Sequence, residues 1–275
     1  MLRLFLLLCI GYLLPAMPAA AMDSEWSTGK QARARLVPAV TGMGELQHIS
    51  AALDLQISPG WHTYWRVPGD AGLPPRLDWA GSGNVADVAM LYPAPVRIQE
   101  LDLTVFGYRD SLFLPLKITP QKPGESLSLR LKAEIMVCHE ICIPETFQLV
   151  LDIPAAAAAP AAEATRIDDA LKRRVPATEN TVSLAIDTVV LGPDALVIAA
   201  RSKNTFKSAD VFAVVGDRVF TAMPEITPDA KDPRRALIRI AKPSDIDDLN
   251  GFLKGKTLNL TISDGGSALA RDFQF

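Results

Sequence analysis

Between Lys30 and Pro154 apolar and polar positions alternate with a period of two, the spacing of strands that turn one face toward a core. Leu53, Leu55 and Ile57 share one such face, and Leu112, Leu114, Leu116 and Ile118 share another. Leu127, Leu129, Leu131, Ala133 and Ile135 form a third, with Ser128, Arg130, Lys132 and Glu134 between them. Turn chemistry separates the runs at Ser58-Pro59-Gly60, Pro68-Gly69-Asp70, Gly81-Ser82-Gly83-Asn84 and Lys122-Pro123-Gly124. Short half-buried antiparallel strands at this spacing predict a β-sandwich.

Past Ile153 the pattern breaks. Pro154, five alanines, Pro160, Ala161 and Ala162 carry little side-chain surface to pack, which predicts a linker. Ile167, Ala170 and Leu171 then fall at helical spacing and Pro176 follows, which predicts one short helix within Glu163 to Arg174. Strands resume over 182–190, 195–200, 211–215, 236–240 and 257–262 and predict a second sandwich. The expected fold is all-β. It places a sandwich at 30–154, a linker and short helix at 155–175, and a second sandwich at 176–275.

The N-terminus is a different kind of segment. Arg3, the apolar run from Leu4 to Leu14 and then Ala19-Ala20-Ala21 predict a cleaved signal peptide over 1–21, because 11 apolar residues fall well short of the roughly 20 that span a bilayer. Cys9 would leave with it, as would Arg3, so that 27 basic and 31 acidic residues remain. A mature net charge of -4 offers no basic footprint for nucleic acid. No later run is long and uncharged enough to span a membrane, and the expected location is the periplasm.

In such a compartment two remaining cysteines, Cys138 and Cys142, are expected to pair. Carrying the alternation forward from Ile135 and Val137 sends the Cys138 side chain to the face opposite the core. A fully extended segment would hold the two cysteines about 13 Å apart, beyond the reach of a disulfide. A hairpin with His139, Glu140 and Ile141 at its tip brings them together, and Phe147, Leu149, Leu151 and Ile153 resume the pattern in the returning strand. The pair is expected at an exposed hairpin end. As a staple it is weak, since a loop of five residues constrains the unfolded chain by only about 2 kcal/mol, against nearly 5 for a loop of about 100. A solvent-facing, short-loop disulfide suits exchange chemistry better. Met136, Cys138, His139 and Cys142 also form a soft ligand set for copper(I) or zinc, so a copper-binding or copper-stress role is an alternative, as is a non-catalytic structural module.

Pro59 to Pro75 holds two of the four tryptophans and most of a proline cluster. In a strand, Trp61, Thr63 and Trp65 would pack one face while His62 and Tyr64 take the other, where either could line a pocket around the cysteines. Several segments in one order carry a resemblance. They are Trp61-His62-Thr63-Tyr64-Trp65, the Pro-Gly-Asp-Ala-Gly-Leu-Pro run from Pro68, Tyr92-Pro93-Ala94-Pro95, Phe106-Gly107-Tyr108 with Leu114-Pro115, and Val137 to Glu145. Together they resemble the periplasmic N-terminal domain of the thiol:disulfide interchange protein DsbD, in its ScsB-like branch, over about residues 45 to 154.

The resemblance implies an immunoglobulin-like sandwich for the first unit, and an immunoglobulin-like fold is expected of the second also. It implies thiol-disulfide exchange without a dissociable cofactor. Electrons would come from a thioredoxin-like or membrane-embedded donor and pass to oxidised periplasmic proteins. By position, Cys142 matches the cysteine that forms the mixed disulfide with the donor, and Cys138 matches its resolving partner. A mobile cap loop is implied between Pro93 and Tyr108, with its tip at Gln99 to Leu103 and with Leu101 or Leu103 standing in for the family's aromatic cap residue. Phe106 and Tyr108 join His62, Tyr64 and His139 as further pocket or cap candidates. The chain ends at Phe275 without the membrane and C-terminal thioredoxin-like modules of DsbD and ScsB, so a stand-alone soluble carrier supplied by separate proteins is expected.

Overall fold

The structure is a computed structural model that describes residues 23–100, 102–206 and 209–275. The predicted leader at 1–21 and cap candidate Leu101 lie outside the described residues. The architecture is all-β in two units, each built of two antiparallel sheets.

In the first unit the strands are β1 (Ser27–Thr28), β2 (Ala32–Pro38), β3 (Ile49–Ile57), β4 (His62–Gly69), β5 (Arg76–Asp78), β6 (Val85–Met90), β7 (Val96–Glu100), β8 (Leu103–Arg109), β9 (Ser111–Pro120), β10 (Leu127–Cys138) and β11 (Cys142–Ile153). One sheet runs β1-β2-β3-β9-β6, and the other runs β11-β10-β4-β8-β7 with β5 also paired to β10. The predicted apolar faces of β3, β9, β10 and β11 meet between these sheets, where Leu53, Leu55, Leu114, Leu129 and Phe147 are fully buried. Each alternate residue thus removes its apolar surface from water at roughly 25 cal/mol per Å².

Strand β3 and the first half of β9 depart from the half-buried expectation, because a helix, α1 (Ala164–Arg173), covers their outer faces. Ile167 and Ala170 of α1 pack on Val37, Ala52 and Phe113. Asp54 also points outward there yet is fully buried, since Arg166 clasps its carboxylate at 2.7 and 3.1 Å and Arg35 approaches at 3.3 Å. The alanine-rich stretch before α1 is held by its backbone instead of its side chains. Met43, Gly44 and Thr41 donate to the carbonyls of Pro154, Ala156 and Ala159, and Ala161 donates to that of Ala39. A segment with no side-chain surface can still be pinned through the peptide groups that every residue carries.

The second unit comprises β12 (Leu184–Leu191), β13 (Ala195–Ser202), β14 (Asp210–Val215), β15 (Arg218–Val219), β16 (Glu225–Pro228), β17 (Arg235–Ala241), a one-turn helix α2 (Leu249–Leu253), β18 (Thr257–Asp264) and β19 (Ser267–Gln274). Its sheets run β12-β13-β17-β16 and β15-β14-β18-β19. The strands that pattern alone misses, β15, β16 and β19, are very short or carry few buried residues. Strand β14 is buried on both faces. Val211, Ala213 and Val215 enter the core of their own unit, whereas Phe212 and Val214 join the core of the first.

Candidate redox site

The β10–β11 hairpin keeps perfect register down to Cys138 and Cys142, which stand directly opposite one another. Their Cα atoms are 4.1 Å apart, near the roughly 4.5 Å of the closer class of antiparallel pair, and a disulfide of 2.07 Å joins the sulfurs. The turn is His139, Glu140 and Ile141, as the spacing predicts, closed by the His139 amide donating to the Ile141 carbonyl at 3.1 Å. At the far side of β11, the buried Glu145 carboxylate accepts from the backbone amides of Lys30 and Gln31 at 2.9 and 2.7 Å and ties the strand to the loop before β2.

The two sulfurs have unequal surroundings. Cys142 is exposed, in keeping with the sequence reading, but Cys138 is only 1% exposed. Alternation correctly removes Cys138 from the main core, yet that face is not open. Strands β4, β8 and β7 continue the same sheet beside β10, and on that face their side chains Tyr64, Ile98 and Val105 make a small second apolar cluster with Cys138. The expectation of a pair exposed throughout is therefore corrected: one sulfur faces solvent, and the other is roofed by a part of the sheet distant in sequence.

Tyr64 is the closest polar neighbour. Its hydroxyl donates to Cys138 Sγ at 3.0 Å and lies 3.8 Å from Cys142 Sγ. Burial first, and then the charge of Glu100, push the phenol up to about 12, so that at neutral pH it is a permanent hydrogen-bond donor. Its ring packs against Gly72, where a Cβ would fall 2.2 Å from Tyr64 Cε1 and where φ is +98°. The glycine in the Pro68 to Pro74 run thus makes room for the tyrosine. His62, one pleat away on the same face, meets the Tyr64 ring edge-on at 5.2 Å. Its Nε2 lies 3.2 Å from Glu100 Oε1 but out of line for a hydrogen bond, so the contact becomes an ion pair only when the ring is protonated. Burial lowers the His62 pKa. Glu100 opposes that shift, while Arg109 and His139 reinforce it.

The remaining sequence-based candidates divide. Leu103, 43% exposed, and His139 line an open cleft of about 500 Å³ beside Cys142, together with His62, Glu100 and Arg109. His139 also approaches the Trp61 ring at 5.9 Å. Phe106 and Tyr108 do not belong to this cleft. In β8 the face toward the cysteines carries Val105 and Gly107, so Phe106 and Tyr108 point into the main core, where the Tyr108 hydroxyl donates to the Pro93 carbonyl at 2.8 Å. Gly107 is fixed by close strand pairing, since a Cβ there would meet the Thr63 carbonyl at 1.9 Å. That motif serves packing. Sequence reasoning missed Ile98, Val105, Glu100 and Arg109 as individual residues, although Glu100 falls inside the predicted cap tip. Among the described residues no group of three or more His, Cys, Asp or Glu side chains is arranged to hold a metal.

Residues 34–154 match the family model of the thiol:disulfide interchange protein DsbD, N-terminal. This part of the chain is a DsbD N-terminal-like domain. Its disulfide fits thiol-disulfide exchange. Residues 174–274, past the DsbD N-terminal-like domain, match a domain of unknown function (DUF8393). The crystal structure of the N-terminal periplasmic domain of ScsB from Proteus mirabilis is similar over 92% of this chain and 98% of that chain, at 21% identity and a TM-score of 0.68. The shared fold thus extends through both sandwiches. A marsupial T cell receptor aligns over 90% of this chain and 98% of that one at 13% identity, but with a TM-score of 0.24 it carries no argument. No curated protein matches the chain. Among the described residues no helix is long and apolar enough to cross a membrane.

Proposed function

We propose that this protein is a periplasmic carrier of reducing equivalents that works by thiol-disulfide exchange through Cys138 and Cys142. The observation that carries the reading is the asymmetry of the pair: an exposed Cys142 sulfur joined to a Cys138 sulfur buried under the Tyr64 hydroxyl. An incoming thiolate of a thioredoxin-like or membrane-embedded donor attacks Cys142 Sγ. The disulfide breaks, the donor sulfur bonds to Cys142, and Cys138 leaves as a thiolate that accepts the Tyr64 hydrogen bond. The donor's second thiolate then takes the donor sulfur, and Cys142 is released reduced. In the second half, the Cys142 thiolate attacks the disulfide of an oxidised periplasmic protein. Cys138 resolves the mixed disulfide, which re-forms the Cys138–Cys142 bond and leaves the client with two thiols. No cofactor enters these steps.

His62, Tyr64, Leu103 and His139 surround the exchanging sulfurs in this reading, and the first sandwich with α1 is the redox unit. The periplasmic location is supported by the likeness to a periplasmic domain and by the leader-like 1–21 segment. The test is trapping. With the remaining cysteine of each variant first converted to its mixed disulfide with 2-nitro-5-thiobenzoate, Cys138→Ser is expected to exchange that leaving group for a thioredoxin-like donor that lacks its own resolving cysteine and to accumulate the mixed disulfide, and Cys142→Ser to accumulate none. Equal trapping by both variants, or trapping by neither, overturns the assignment.

A further inference from the structure

Strands β7 and β8 form a hairpin with two occupied faces. One face borders the disulfide: Ile98 and Val105 share a buried apolar cluster with Cys138, Ile98 and Leu103 line the cleft beside Cys142, and Glu100 reaches His62. The opposite face receives the second domain. Arg97 of β7 is the centre of that contact, with a side chain 7% exposed. Its Nε and Nη2 donate to the two carboxylate oxygens of Asp210 at 3.2 and 3.0 Å, and Nη1 donates to the Thr221 carbonyl at 2.7 Å. The guanidinium also lies 4.9 Å from the centre of the Phe106 ring and 5.8 Å from that of Phe212. Phe212 in turn meets Phe106 edge-on at 5.1 Å and Trp65 at 5.8 Å.

With a further bond from Nη2 to the Val211 carbonyl at 3.3 Å, a planar fork bound at two carboxylate oxygens and two carbonyls fixes orientation in a way that a single contact does not. One end of β7, at Arg97, is therefore anchored from outside the first sandwich, three residues from Glu100. We infer that the second domain is a clamp that holds the β7–β8 hairpin over the Cys138–Cys142 disulfide, with Arg97 and Asp210 as its positioning residues. This deepens the exchange reading and rests on it. The clamp touches neither sulfur and acts on access: releasing it lets the hairpin lift, so that attack on the disulfide and its re-formation quicken together and the equilibrium between them is unchanged.

The experiment measures the rate at which dithiothreitol reduces the disulfide of the full chain, well below its melting temperature, together with the reduction potential against glutathione. Arg97→Lys keeps the charge and loses the fork, and Asp210→Asn loses the charge of its partner. Each is expected to raise the rate at least about threefold, and about tenfold where the loss amounts to one hydrogen bond to a charged group, with the potential unchanged. Phe212→Leu, a milder change in the same contact, gives the same readout should either variant fail to fold. The control is Asp54→Asn, which loosens α1 on the opposite sheet and is expected to lower stability without changing the rate. Rates within about twofold of the parent for all three clamp variants overturn the proposal, and so does an equal acceleration in Asp54→Asn, which would make the effect general loosening. Because dithiothreitol needs no partner site, failure of a thioredoxin-like donor to exchange would sink the proposed function and leave this measurement readable.

Discussion

Replacing Tyr64 by Phe removes one oxygen and keeps the ring that fills the space over Cys138. The hydroxyl is buried and stays protonated, since its pKa is pushed up to about 12, and it donates to Cys138 Sγ at 3.0 Å. In the oxidised protein the acceptor is a neutral sulfur, whereas in the reduced protein with Cys138 ionised it is a thiolate. A neutral hydrogen bond contributes about 0.5–1.5 kcal/mol and one to a charged group about 1.5–3 kcal/mol, so the hydroxyl favours the thiolate by about 1–1.5 kcal/mol. For a two-electron couple that difference is roughly 20–30 mV. Stabilising the reduced form makes a protein more oxidising, so Tyr64→Phe is expected to shift the reduction potential more negative by that amount. The Cys138 thiol pKa is expected to rise by about one unit. Equilibration with glutathione redox buffers, read by alkylation and mass, gives the potential, and the pH dependence of the alkylation rate gives the pKa. A potential within about 5 mV of the parent, with the thiol pKa unmoved, would refute the claim that this hydroxyl stabilises the leaving sulfur.

Two further outcomes follow from buried groups near the site. His62 has a folded pKa below the ordinary histidine value because burial outweighs Glu100, with Arg109 and His139 acting in the same direction as burial. Its contribution to stability is complete above the ordinary histidine value and is lost as pH falls through the lower folded value, so part of the acid slope of the melting temperature should vanish in His62→Gln; superimposable pH profiles would refute this. Glu145→Gln places an amide NH2 group against the Lys30 or Gln31 backbone donors that the carboxylate now satisfies. A loss of about 1–3 kcal/mol in urea unfolding with an unchanged m-value is expected, and a loss below about 0.5 kcal/mol would show that the carboxylate is not needed there.

Local pattern was enough to place the strands that build the first core and the turn that carries the cysteines. Alternation at Leu127 to Ile135 and at Phe147 to Ile153 is a local consequence of the pleat, because successive side chains must take opposite faces. The same rule put Tyr64 and His62 on one side of β4 and Trp65 on the other, and it turned Cys138 away from the main core. Five consecutive apolar residues in β14 likewise announced a strand. What covers an outward face is a separate matter, since it depends on segments that the pleat does not reach. Only the tertiary structure roofed Cys138 with Ile98 and Val105, sent Phe106 and Tyr108 into the core, buried Asp54 beneath α1 and seated Phe212 in the neighbouring domain. Periodicity specifies which way a side chain points. Whether water or another part of the chain meets it is decided by the packing of sheets distant in sequence, and on that difference rests the inequality of the two sulfurs.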